Sequence, residues 1–171
     1  MIKVLDVFPS LNQEFISLLE SLSPEDWEKE TCLQGRTVKD LVSHILDTSL
    51  RRLSLQRDCY LTKPPVINSY QDLVNFIQKM NAEWIVATKR ISPKILVSML
   101  RTSESELVDF LNTLNPEEKA IFPVDWSGEK ESSNWFDIAR EYSEKWHHQM
   151  QIRYAIGKIG LLYEPAYFQP I

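Results

Sequence analysis

An all-α fold, a bundle of long helices joined by short connections, is what this sequence predicts, and three observations predict it. Apolar residues recur at spacings of three and four through five separate stretches. Most of these stretches open on a serine or threonine cap or on a proline at the first helical position. Glycine, which weakens helix interiors, occurs only four times in 171 residues. With 43% hydrophobic and 25% charged residues, the chain has the balance of a globular domain. A chain of this length is expected to form one domain over residues 1–171 and to bury roughly 70% of its unfolded surface.

The first helix is expected over residues 4–22, with Phe8, Leu11, Phe15, Leu18 and Leu22 on one face. Ser23-Pro24-Glu25-Asp26 then opens a short turn of helix. Thr37 caps the second long helix, with Asp40 three residues on and Val38, Leu41, Ile45 and Leu46 facing inward. Pro64 and Pro65 make residues 59–68 a connection, Cys59 being a helix-end residue. Ser69 with Asp72 starts the third long helix, which carries Leu73, Phe76, Ile77, Met80, Trp84 and Ile85. Ser92-Pro93 starts the fourth, with Leu96, Leu100, Leu107, Phe110 and Leu114. Asn115-Pro116-Glu117-Glu118 repeats the cap, proline and acid pattern. Over residues 119–133 the helical period is lost, so a long loop precedes the last helix, residues 134–157, which stops at Gly157.

The net charge is −5 and the basic residues are scattered, which argues against a nucleic-acid partner. No apolar run approaches the roughly 20 residues of a membrane span. Lys3 and Asp6 interrupt the N-terminus, so no signal peptide is expected. Two cysteines, Cys32 and Cys59, make no disulfide framework, and a cytoplasmic location follows as the expectation.

Only three histidines occur. Glu144 and His148 lie four residues apart on the last helix and so share a face. His44 lies on the second long helix. Two imidazoles and a carboxylate make a three-ligand set for a divalent ion, and zinc sites that do chemistry keep such a set with a fourth position open. Simpler readings compete. Asp137, Glu141, Glu144, His148 and Gln151 also trace the stripe that the wet face of a surface helix would show. His44, in line with Thr48 and Arg51, also fits a hydrogen-bonded boundary residue. Glu144-x-x-His147 matches half of a di-iron bundle motif, but Leu41 stands three residues before His44, so the second copy is missing. Cys32 has no evident base beside it, and no Walker, G-x-S-x-G or H-E-x-x-H string occurs.

Three strings in combination resemble the DinB-like bundles, in particular the metal-binding N-terminal domain of mycothiol-dependent maleylpyruvate isomerases. One is Leu22-Ser23-Pro24-Glu25-Asp26-Trp27 followed by Thr31-Cys32-Leu33-Gln34-Gly35-Arg36-Thr37-Val38 and the helix to His44. Another is Met80-Asn81-Ala82-Glu83-Trp84 with the leucine-rich helix after Pro93. The third is Asn134-Trp135-Phe136-Asp137-Ile138-Ala139-Arg140-Glu141-Tyr142, continuing through Glu144, Trp146, His148 and Arg153. Where the family usually has Gly-Trp, this chain has Gly35-Arg36.

The resemblance implies a DinB-like four-helix bundle with an extra short helix. It implies a divalent metal, zinc first and nickel second, held by His44, Glu144 and His148. Many relatives have a third histidine where Glu144 stands; the carboxylate matches the isomerase branch. Gln151 would hydrogen-bond a ligand, and His147 would point off the shared face. The implied function is a metal-dependent isomerase or transferase in which the ion activates a low-molecular-weight thiol toward a small-molecule substrate. Arg51 or Arg52 is a candidate contact for a substrate carboxylate, with a solvated arginine at the helix end as the competing reading for at least one of them. A non-catalytic metal-binding interaction module, dimeric in one version, and a metal-dependent hydrolase are the alternatives. Relatives commonly continue beyond the position of Ile171.

Overall fold

The computed structural model describes residues 3–60, 66–121 and 130–170. Among them seven α-helices form: α1 (Phe8–Glu20), α2 (Pro24–Trp27), α3 (Val38–Arg52), α4 (Tyr70–Thr88), α5 (Pro93–Asn112), α6 (Asn134–Ala155) and α7 (Pro165–Phe168). The all-α expectation holds; extended pairing among the described residues is confined to the isolated bridges Glu30–Thr37 and Lys119–Ser133. Helices α1, α3, α5 and α6 make the four-helix core, and α4 lies against α3. The expected connection at Pro64 and Pro65, and residues 122–129 of the expected long loop, lie outside the described residues.

Local chemistry sets the helix starts. The Ser23 and Thr37 hydroxyls accept from the amides of Asp26 and Asp40, whose carboxylates accept from the cap amides in return. Ser69 and Ser92 accept from the amides of Asp72 and Ile95. Each bond satisfies a donor that a helix start would otherwise leave unpaired. Gly35, at φ 71°, takes the left-handed conformation that closes the turn before Thr37, and Gly157, at φ 73°, follows the end of α6.

Four details depart from expectation. Helix α1 begins at Phe8, after a single turn closed by the Phe8 amide on the Val4 carbonyl. Pro9 has no amide hydrogen and so belongs in a first turn, which places the start directly before it. Asn115-Pro116-Glu117-Glu118 makes a turn and no helix: Asn115 Oδ1 accepts from the Glu117 amide, and the Glu118 carbonyl is taken by the Asn134 amide. Helix α3 runs into a wider π-helical turn, Leu53–Arg57, which ends before Cys59 at φ 53°. After Gly157 a 3₁₀ turn (Gly160–Tyr163) and α7 follow, and the Tyr142 hydroxyl donates to the Tyr167 carbonyl at 2.8 Å.

The apolar core comes in two parts. One gathers Phe15, Leu19, Trp27, Leu41, Leu46, Leu96, Leu100 and Ile152. The other gathers Val4, Phe8, Leu11, Leu53, Leu107, Leu111, Ile138 and Tyr142. At the level between them α3 contributes Ser49, α5 contributes Ser103 and Glu104, and α6 contributes Lys145 and Gln149, all buried. Lys145 Nζ lies 2.6 Å from Glu104 Oε1 and 2.6 Å from Ser49 Oγ. Gln149 donates to the Leu11 carbonyl of α1. A polar layer therefore crosses the bundle.

Candidate metal centre

Helix α3 carries His44 and α6 carries His148, and the pairing of these helices brings the two rings together. Their centroids are 5.1 Å apart and the rings stand edge to face. The third candidate, Glu144, lies one turn before His148 on α6, its Oε2 3.5 Å from His148 Nε2. Both imidazoles are half-buried, whereas the Glu144 side chain is 50% exposed. As the side chains stand, no group of three or more His, Cys, Asp or Glu residues among those described closes on a common point. Of the three candidates, the two imidazoles meet each other while the Glu144 carboxylate stays half exposed.

The donor chemistry fits a divalent cation. His148 Nδ1 is 2.8 Å from Gln151 Oε1. A hydrogen on Nδ1 donated to that amide oxygen leaves the Nε2 lone pair on the Glu144 side, as a metal-binding histidine requires. Burial is the main reason that the pKa of His44 falls to about 4, reinforced by the nearby His148 ring and by the positive charges of Arg51, Lys145 and Arg36. His44 is therefore a neutral base at physiological pH, with a lone pair to give. His147 is exposed, its ring centroid 6.1 Å from that of His148. The pair that meets is thus His44 with His148.

The two candidate arginines differ. Arg52 has a nearly buried side chain, ion-paired with Asp137 and 3.4 Å from Glu141 Oε2. Arg140 joins the same two carboxylates. Burial alone would raise the pKa of Glu141, but Arg140, Lys145 and Arg52 bring it down to about 2. The expectation of a solvated or substrate-facing Arg52 therefore gives way: its charge is taken up in holding α3 to α6. Arg51 keeps more freedom, with Nη2 3.0 Å from Asp47 Oδ2 and 3.1 Å from Asn81 Oδ1 of α4. Cys32 is free and exposed.

The stripe on α6 proves divided. Asp137 and Glu141 are buried in the ionic cluster, Glu144 is exposed, and His148 and Gln151 are half-buried at the α3 side. The buried partners Ser49, Glu104 and Lys145 were missed by reading the stripe alone. Their signal is the line Ile138, Tyr142, Lys145, Gln149, Ile152, whose spacings of three and four put a lysine and a glutamine on the inward face.

Fold and site together define an α-helical bundle domain with a histidine pair between its second and last long helices. Residues 8–153 match the mycothiol maleylpyruvate isomerase N-terminal domain, and the chain belongs to that family, as a DinB-like domain related to maleylpyruvate isomerase. No curated protein and no solved structure matches it. No described helix is long and apolar enough to cross a membrane.

Proposed function

We propose that the domain is a metal-dependent enzyme in which His44, Glu144 and His148 hold a divalent ion, zinc first and nickel second, for the activation of a low-molecular-weight thiol in isomerisation or transfer. The observation that carries this reading is the approach of two imidazoles from separate helices to 5.1 Å, with a carboxylate 3.5 Å from one of them. A bound divalent cation would supply the charge that lets a thiol lose its proton at neutral pH and act as a nucleophile. The protein's own part is to orient the ligands and set their charge. Gln151 fixes the His148 ring, burial keeps His44 unprotonated, and Glu144 partly balances the ion's charge. The two exposed free cysteines suit the cytoplasm as the place of action.

The test is metal content after purification, followed by cobalt substitution and titration with small thiols. One equivalent of metal and a new thiolate charge-transfer band are expected. A cobalt spectrum that answers to small carboxylates or hydroxide and to no thiol would overturn the thiol reading in favour of hydrolysis. A spectrum that answers to nothing would make this a metal-bearing interaction module. Absence of metal would remove all three.

A further inference from the structure

Helix α4 does little for the apolar core. Of its 19 residues only Ile85 and Thr88 are buried, and Trp84 is half-buried against the first core cluster. The apolar residues of its earlier turns, Leu73, Phe76, Ile77 and Met80, belong to neither cluster. What α4 does make is a set of polar bonds to α3, bunched in its last two turns. Asn81 Oδ1 accepts from Arg51 Nη2 at 3.1 Å, and the Trp84 indole donates to the Ser43 carbonyl at 2.8 Å. The Ser43 and Thr88 hydroxyls, both buried, are 2.5 Å apart. Lys89, just past the helix, pairs with Asp40 at 2.7 Å. Two of these bonds land on Ser43, the residue before His44.

The Ser43 carbonyl and the His44 amide belong to one planar peptide unit, which ends at the His44 Cα. Inside a helix such a carbonyl already accepts the amide one turn on, and its second lone pair is free for another donor. The Trp84 N–H on that oxygen therefore holds the plane from which the His44 side chain starts. Thr88 grips the same residue by its hydroxyl. The Asp40 pair one turn before and the Arg51 bond two turns after keep α4 from sliding along α3. His44 needs such support. His148 is oriented by Gln151, whereas among the described residues no hydrogen bond orients the His44 ring. Its place against His148, 5.1 Å between centroids and edge to face, is inherited from its backbone.

We infer that Trp84 is a positioning residue for the histidine pair: its indole N–H, bound to the Ser43 carbonyl and backed by Thr88, fixes the His44 ring against His148. The inference rests on the proposed function for what the two rings hold. The brace itself is a property of the fold and can be read without any metal. It gives α4, which adds little to the core, a part in the site.

The experiment uses the full chain and Trp84→Phe, which keeps an aromatic side chain and removes the N–H. In metal-free protein, nuclear Overhauser contacts between the His44 and His148 ring protons should be present in wild type and lost in Trp84→Phe. Zinc affinity, read by competition with a chromophoric chelator, should fall about tenfold or more, as it does when a group that orients a ligand is removed. Trp27→Phe, in the same core cluster, is the control for lost packing: it should lower stability in urea and keep both the ring contact and the zinc affinity. Thr88→Val should weaken both in the same direction as Trp84→Phe, and it carries the test if circular dichroism shows that Trp84→Phe is unfolded. A ring contact or a zinc affinity unchanged in the folded variant, or equal losses in Trp27→Phe, overturns the inference. The metal reading fails separately: if wild type takes up no zinc, the ring contact alone decides for or against Trp84, whereas equal zinc affinity in wild type and Trp84→Phe keeps the metal and removes the brace.

Discussion

Replacing Lys145 by methionine tests how the polar layer is held. The Lys145 and Glu104 side chains are 5% and 4% exposed, and their charged atoms are 2.6 Å apart. Glu104 Oε2 has no hydrogen-bond partner among the described residues, so Oε1 carries the whole interaction, shared between Lys145 and Ser49. Lys145→Met removes the cation and leaves the carboxylate with one hydroxyl donor. Breaking a buried pair in this way costs about 3–5 kcal/mol, because an uncompensated charge remains inside. Against a total stability of roughly 5–15 kcal/mol that is a large fraction, and it corresponds to a fall in Tm of roughly 6–20 °C for a domain of this size. Urea titration followed by helical circular dichroism measures it. Lys145→Met combined with Glu104→Leu should recover part of the loss, since the Glu104 charge is then no longer orphaned, while Glu141 keeps Arg52 and Arg140 but loses the Lys145 ammonium 3.8 Å away. A loss below about 1 kcal/mol in the single variant, or a double variant no better than the single, would refute the reasoning that the pair is desolvated and interdependent.

Three further outcomes are expected. His148→Ala should abolish stoichiometric metal while His147→Ala keeps it, read by elemental analysis; equal losses would mean that the exposed histidine is the ligand. Because Glu141 is held near 2 in the fold against an ordinary 4.5, its contribution is complete above about pH 4.5 and is lost as pH falls from there toward 2. Glu141→Gln should therefore flatten the acid limb of a stability-against-pH curve and destabilise the protein by a few kcal/mol at neutral pH. Leu107→Ala, at a fully buried position in the second core cluster, should cost about 2–5 kcal/mol in the same urea titration.

Helix starts were legible because a cap is a local event. Ser23, Thr37, Ser69 and Ser92 each satisfy the amide three residues on, so the pattern and its physical cause sit within one short string. The Glu144 and His148 relation was legible for the same reason, being fixed by one turn of one helix. The meeting of His148 with His44 was legible only as a candidate, since spacing alone says nothing of which helix lies opposite; the scarcity of histidine suggested the pairing and the resemblance strengthened it. The π-helical turn at Leu53–Arg57 carries no proline or glycine to announce it. Arg52 was misread because a basic residue at a helix end reads as solvated, and only the packing of α6 shows that Asp137 and Glu141 wait for it.

The polar layer is the harder case. On α3 the inward line runs Val42, Leu46, Ser49, Leu53; on α5 it runs Leu100, Glu104, Leu107; on α6 it runs Tyr142, Lys145, Gln149, Ile152. The lines on α3 and α5 each have one polar interruption and the line on α6 has two, which in a single helix looks like an imperfect face. Only the folded bundle puts the interruptions at one level, where they become one another's partners. Such a layer adds little stability over a wholly apolar core. What it adds is alignment: Lys145 meets Glu104 and Ser49 only at one rotation of α6. One residue of rotation is about 100°, enough to unpair the lysine. Glu144 precedes Lys145 by one position and His148 follows it by three, so the rotation that satisfies the buried charge also sets where the metal-binding candidates point. The ionic cluster of Arg52, Asp137, Arg140 and Glu141 fixes the same helix nearer its start. The side of α6 that faces His44 is thus determined by charges buried beneath it, while the apolar contacts of either core cluster could tolerate a slip more readily than those charges can.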